Sequence, residues 1–199
     1  MKLPLAYYQQ PDVVAIARDL VGKYLFTRID GVLTGGRIVE TEAYAHIDDQ
    51  ACHSHLGRFT KRTRVMYEAG GVAYVYLIYG RYALFNIITN VAGKADAVLI
   101  RGLEPTEGIA EMQLRRGLTT AAKNLTAGPG LLTQALGIQV SHYGTDLSGD
   151  LIWLEDHQEV VPAADIVASP RVGIDYAGAD AALPWRFRIK GNPWTSPAK

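Results

Sequence analysis

Val13, Ile16, Ala17 and Leu20 recur at three- and four-residue spacing, the period of a helix with one apolar face. Pro11 suits its first turn and Gly22 its C-terminal cap, so a helix is predicted over 11–21. The period then shortens. Runs rich in β-branched and aromatic residues at 23–29 and 31–44 read as strands joined at the Asp30-Gly31 turn. Residues 45–70 keep no period. A loop that long is either functional or contains a short helix, for which Asp48 or Asp49 offers a cap. Residues 72–79 and 83–89 then predict a hairpin, and Ala95 to Leu103 a further strand. Glu104-Pro105 opens a predicted helix to about Arg116, and Gly128-Pro129-Gly130 opens another that Gly137 ends. Short strands at 151–154, 159–161, 166–168, 171–175 and 186–190, separated by Asp, Gly and Pro, complete the chain. Strands that follow one another without regular intervening helices predict an α+β fold. The expectation is a single compact domain over 1–199. It would have a curved, mostly antiparallel sheet, a protruding β-hairpin and a few peripheral helices.

Composition agrees with that size: 199 residues, 48% hydrophobic, suffice for one sizeable core. The N-terminus does not resemble a signal peptide and no apolar run approaches about 18 residues, so no membrane span is expected. A single cysteine, Cys52, rules out an internal disulfide and a cysteine-based zinc site. The expected location is therefore the cytoplasm. Net charge is zero, but the charges are segregated. Residues 141–183 carry eight acids against Arg171 alone, whereas Arg58, Lys61, Arg62, Arg64 and Arg81 stand against Glu68 in 58–81. A neutral chain with that distribution can present one basic face.

The candidate chemistry lies in the same region. Alternation puts Glu40, Glu42 and Tyr44 on one face of their strand, and an acid on a core strand is costly unless solvated or used. Tyr74, Tyr76 and Ile78 face one way in the next strand, Val75, Leu77 and Tyr79 the other. If Gly80-Arg81-Tyr82 forms a three-residue turn, Tyr79 pairs with Ala83 and Tyr76 lies opposite Asn86. An acid beside stacking rings and a basic loop suggests chemistry on a flat aromatic group carried by a polyanion. A nucleobase in nucleic acid meets each requirement.

The strings Gly36-Arg-Ile-Val-Glu-Thr-Glu-Ala-Tyr44, His53-Ser54, Gly57-Arg58, Tyr74-Val-Tyr-Leu-Ile-Tyr-Gly80 with Asn86, Val98-Leu-Ile-Arg-Gly-Leu-Glu-Pro105 and Gly191-Asn-Pro-Trp194 resemble the alkyladenine (3-methyladenine) DNA glycosylase family. The matches fall in order over about residues 10 to 195. The resemblance implies a monofunctional enzyme that flips alkylated or deaminated purines from double-stranded DNA. It would hydrolyse the N-glycosidic bond, with no cofactor and no metal. By the same resemblance Glu42 matches the acid that activates water, and Arg101 a position near the pocket and that water. Tyr44, His53 and Tyr76 match the base pocket, Asn86 the side chain that disfavours guanine, and Tyr79 the wedge that fills the gap. Arg58, Lys61, Arg62, Arg64 and Arg81 are then natural phosphate contacts. One damaged site needs no dimer, so a monomer is expected.

Thr63, Phe59 and Arg81 depart from the family pattern. Gly128-Pro129-Gly130 at a helix start reads either as ordinary capping or as backbone N–H groups for a phosphate. Three rival readings use the same residues. A metal-dependent hydrolase would recruit His53, His55, Glu42 and Asp48 or Asp49. A non-catalytic nucleic-acid module would use the aromatic strand and have no need of Glu42. A strand-cleaving glycosylase would need a lysine, and Lys61, Lys94 and Lys123 lie outside the matched positions.

Overall fold

The computed structural model describes residues 1–120 and 123–196. Its strands are β1 (Tyr24–Ile29), β2 (Val32–Tyr44), β3 (Ala73–Ile78), β4 (Tyr82–Thr89), β5 (Asp96–Glu107), β6 (Ile152–Glu155), β7 (Ile166–Ser169) and β8 (Arg186–Ile189). Helices are α1 (Leu5–Tyr8), α2 (Val13–Asp19), α3 (Ile109–Arg116) and α4 (Pro129–Leu136), with single 3-10 turns between. One sheet runs β3-β4-β5-β2-β1-β6, with β8 paired to β2 and β7 to β8. Every pairing is antiparallel, so the α+β expectation holds.

Strand alternation divides the buried residues between two faces. Val75, Phe85, Ile87, Val98 and Ile100 pack with Val13, Ile16 and Ala17 of α2, Met112 of α3, and Leu132, Ala135 and Leu136 of α4. Their neighbours Tyr74, Ile88 and Ala97 pack with Cys52, Val65 and Met66 from the 45–70 loop. Helices cover one face of the sheet and the long loop covers the other. The loop contains 3-10 turns at His55–Gly57 and Arg64–Tyr67 rather than a capped helix at 48–49.

β2 does not keep one phase. Ile38 pairs with Leu103, Glu40 with Gly102 and Thr41 with Ile100, so Val39 is an extra residue on β2 and Arg101 an extra residue on β5. Each insertion exchanges the faces of the residues beyond it. Ile38 faces the helical core. Beyond the bulge Thr41 does so, its hydroxyl donating to the Ala17 carbonyl at 2.7 Å. Glu40 and Glu42 thereby point to the loop-covered face. Without the paired bulges the phase of Ile38 would aim both carboxylates at the helices.

Other departures from the predicted elements have local causes. β5 runs on through Pro105 to Glu107 and α3 starts only at Ile109. Pro105 donates no hydrogen bond, but it sits beside a register shift between Gly35 and Gly36, where a ladder tolerates proline. Residues 159–161 and 171–175 form no strand; Val160 is exposed, and Gly173 turns the second segment at φ 73°. In the hairpin Ile78 pairs with Tyr82 and Tyr74 with Asn86, so the turn is Tyr79-Gly80-Arg81 and Tyr76 lies opposite Leu84. The register differs from the expected one by two residues, which preserves faces. Tyr76 and Asn86 still share one.

Gly36 lies where a Cβ would run into the Glu104 carbonyl and the Leu103 side chain. Gly36→Ala is expected to cost about 1–3 kcal/mol through this overpacking, measured by urea denaturation.

Candidate active site

A cavity of about 740 Å³ opens on the loop-covered face. Tyr44, His53, Arg62, Tyr76, Tyr79, Asn86 and Arg101 line it. The structure thus brings together most of the residues singled out from sequence. Glu42 lies just behind the wall, fully buried, and three lining residues hold it. The Tyr44 hydroxyl donates to Oε2 at 2.8 Å, Arg101 donates to Oε2 at 3.3 Å, and the Val172 N–H donates to Oε1 at 2.8 Å. A carboxylate offers about four acceptor sites, so these three donors leave one unfilled. Burial pushes the Glu42 pKa above its ordinary value, although Arg101 and the two other donors oppose it.

Glu40 is equally buried and behaves oppositely. Arg101 Nε and Arg186 Nε donate to Oε1 at 3.0 and 2.6 Å, the Ser196 hydroxyl to the same atom at 2.7 Å, and the Ser196 N–H to Oε2. Burial would raise its pKa, but Arg101, Arg186 and Ser196 together outweigh burial and hold it below the ordinary value. Ser196 arrives because the C-terminal segment crosses Gly102 closely: a Cβ there would lie 2.7 Å from the Trp194 carbonyl.

The opposite wall is polar and aromatic. An arginine carries no acceptor, so Arg62, 2.7 Å from His53 Nε2, donates to it, and His53 Nδ1 carries the proton that it donates to the Tyr74 hydroxyl at 2.8 Å. Burial, then Arg62 and Arg58, lower the His53 pKa to about 4, so the ring is neutral at pH 7. The Arg62 guanidinium also lies 5.1 Å from the Tyr76 ring centroid, at the cavity rim rather than free on the surface. Asn86 is fixed by donating to the Tyr74 carbonyl at 3.1 Å. Tyr79, 89% exposed at the hairpin tip, projects from the rim.

Arg58, Lys61, Arg64 and Arg81 are exposed and outside the cavity lining. Gly128 and Gly130, at the start of α4, line the cavity, and no side chain caps that helix.

Sequence reasoning missed Arg171 and Asp49 in their actual roles. Asp49 caps no helix; both its oxygens pair with buried Arg171, whose guanidinium also donates to the Ala43 carbonyl at 2.9 Å and stacks over Tyr44 at 4.8 Å. The clamp fixes the segment that delivers Val172 to Glu42. Its signal was present: Arg171 is the one base among the eight acids of 141–183. Cys52 is buried, which pushes its thiol up to about 11. Among the described residues no three His, Cys, Asp or Glu side chains converge as metal ligands, and no helix is long and apolar enough to cross a membrane.

The sequence profile of the methylpurine-DNA glycosylase family matches residues 6–193. A "Putative 3-methyladenine DNA glycosylase" of Bacillus cytotoxicus is 46% identical over 204 residues, covering 98% of this chain and 100% of that protein. Proteins of the same description from Bacillus cereus strain G9842 and Bacillus mycoides are each 45% identical over 208 residues, covering 98% of this chain and 99% and 100% of theirs.

Glu40→Gln would leave two buried guanidiniums short of an anion and is expected to cost about 3–5 kcal/mol at pH 7. Because the folded pKa of Glu40 is depressed, its contribution is present above its ordinary 4.5 and lost as pH falls through the folded value. The gap between wild type and variant should therefore narrow below about pH 4.5, read from urea unfolding across pH.

Proposed function

The chain belongs to the methylpurine-DNA glycosylase family, and from that premise we propose that it flips a damaged purine out of duplex DNA and hydrolyses the N-glycosidic bond with a water activated by Glu42. Membership makes it a DNA N-glycosylase of DNA repair; the lesion range and the residue roles are the proposal. The observation that carries it is the buried Glu42 carboxylate with one acceptor site open behind an aromatic cavity.

Departure of the base leaves oxocarbenium-like charge on the sugar, which an adjacent ionised carboxylate stabilises while it takes a proton from the attacking water. Glu40 is committed instead to two guanidiniums and both Ser196 donors, which hold its carboxyl low. Tyr44, His53 and Tyr76 form the base pocket. An alkylated, cationic purine needs little protonation to leave and stacks favourably on tyrosine, with cation–π attraction of about 0.5–2 kcal/mol. His53 is neutral at pH 7 and serves as a wall and hydrogen-bonding group, not as a general acid. Deaminated purines belong to the proposed range as the slower class, since they lack that charge. Asn86 crowds the position of a guanine amino group. Tyr79 fills the vacated stack. Arg58, Lys61, Arg64 and Arg81 hold phosphates of double-stranded DNA. Arg62 does so too once it yields the Tyr76 face to the base. The enzyme acts as a monomer over the whole chain.

Glu42→Gln is expected to abolish base release from single-lesion oligonucleotides while keeping duplex affinity; release at the wild-type rate would defeat the mechanism. Only the ionised acid activates water, and its pKa is raised by burial. Activity should accordingly fall on the acid side at a pH above that of an ordinary glutamate, as seen in single-turnover rates against pH. Asn86→Ala should release normal guanine that wild type spares, and unchanged guanine release would remove that role.

A further inference from the structure

Five non-glycine residues among those described adopt positive φ: Asp30, Leu56, Tyr79, Asn90 and Gln158. Asp and Asn tolerate that region; a leucine or tyrosine is held there against its preference. Leu56 and Tyr79 are the two with large apolar side chains, and they are 80% and 89% exposed. The likeness between the two turns extends to sequence. Tyr79-Gly80-Arg81 has φ 53° and then 64° at its first two residues, and Leu56-Gly57-Arg58 has 57° and then 72°. Each turn holds an apolar side chain outward and follows it with glycine and an exposed arginine.

The Leu56 turn is anchored on both sides. Leu56 donates its N–H to the Ile47 carbonyl at 3.3 Å, Arg58 donates its own to the Ser54 carbonyl at 3.1 Å, and Thr63 and Tyr67 hydroxyls hold the Arg58 carbonyl at 3.0 and 3.1 Å. A strained residue kept by surrounding bonds, with its side chain packed on little, points to use rather than stability. The turn begins three residues after His53, whose side chain lines the cavity against Tyr74 and Tyr76, and Arg58, Lys61, Arg62 and Arg64 follow it in the chain as a concentration of positive charge. Exposed Phe59 extends the apolar surface.

We propose that Leu56 is a second apolar wedge, carried on the basic loop and pressed into the base stack or minor groove of duplex DNA. Leucine is among the side chains that unstack base steps in this way, and the surrounding cations select a polyanion as the partner. This inference rests on the reading of Tyr79 as the wedge.

Leu56→Gly and Leu56→Asn keep a residue suited to positive φ and remove the apolar group. The test is binding to a short duplex with one tetrahydrofuran abasic site, across salt concentrations, with 2-aminopurine fluorescence reporting unstacking. Both variants are expected to melt no lower than wild type and to bind about tenfold more weakly. Their salt slope should be unchanged, because no charge is lost, whereas Arg58→Ala should reduce it by about one. Wild-type affinity and fluorescence in both variants would overturn the proposal, as would a lowered melting temperature, which would make Leu56 a packing residue. Tyr79→Ala runs alongside. If it weakens binding and the Leu56 variants do not, the wedge reading stands and this inference fails. If none of the three does, both fail.

Discussion

The site depends on one buried guanidinium. Arg101 bonds Glu40 through Nε and Glu42 through a terminal nitrogen, and it can reach both because it is the extra residue of a β-bulge opposite another at Val39. Two carboxylates two residues apart on a core strand would otherwise face the helical layer without partners. Burying an unpaired charge there would cost several kcal/mol. The two bulges rotate the acids out of that layer and place a cation between them, so backbone irregularity and electrostatics are one device.

That device treats the acids unequally. Glu40 adds Arg186 and both Ser196 donors to its share of Arg101, and its carboxyl is held low. Glu42 receives Arg101 at the longer distance, plus a tyrosine hydroxyl and one backbone N–H, and its carboxyl is raised. Both are closed to solvent; Glu42 is the more deeply enclosed and Glu40 the more richly paired, so depth and partners act together. In the proposed mechanism this difference would divide the labour between the two acids. Glu40 pairs with both guanidiniums, and Glu42, sharing only Arg101, balances the remaining positive charge from behind the cavity wall. The Arg171–Asp49 clamp is self-neutralising and adds position more than field: it holds Val172 to Glu42 and stacks on Tyr44.

Much of this was legible in the chain, for identifiable reasons. Periodicity reports face and element type, so α2, the strands through β5 and the sharing of a face by Tyr76 and Asn86 were readable. A two-residue error in hairpin register left that last point intact. Periodicity does not report bulges, since an inserted residue only shifts phase. Val39 and Arg101 therefore gave no warning, and alternation put Glu40, Glu42 and Tyr44 together without indicating which layer they faced. Pro105 suggested a helix start because its tolerance in a strand depends on a bulge visible only in the paired partner. Asp49 with Arg171, and Glu40 with Ser196, are separated by 122 and 156 residues. Contacts of that range are set by packing, not local pattern.

The hydrogen-bond directions around His53 bear on selectivity. Arg62 occupies Nε2 and Tyr74 receives the Nδ1 proton, while burial and two nearby guanidiniums keep the ring neutral. Neither nitrogen is free to protonate a departing base while Arg62 stays at the rim. Withdrawal of Arg62 toward a phosphate would expose Nε2 as an acceptor, not a donor, to whatever enters. A pocket so arranged gives little help to a leaving group that must first be protonated. In the proposed reaction it would favour bases that already carry charge, for which stacking on Tyr76 and the ionised Glu42 carboxylate would supply the attraction. On the proposed mechanism discrimination would lie in the group the site withholds: with His53 held neutral, an intact neutral purine that was flipped by chance would gain no proton from it and have no easy route to leave.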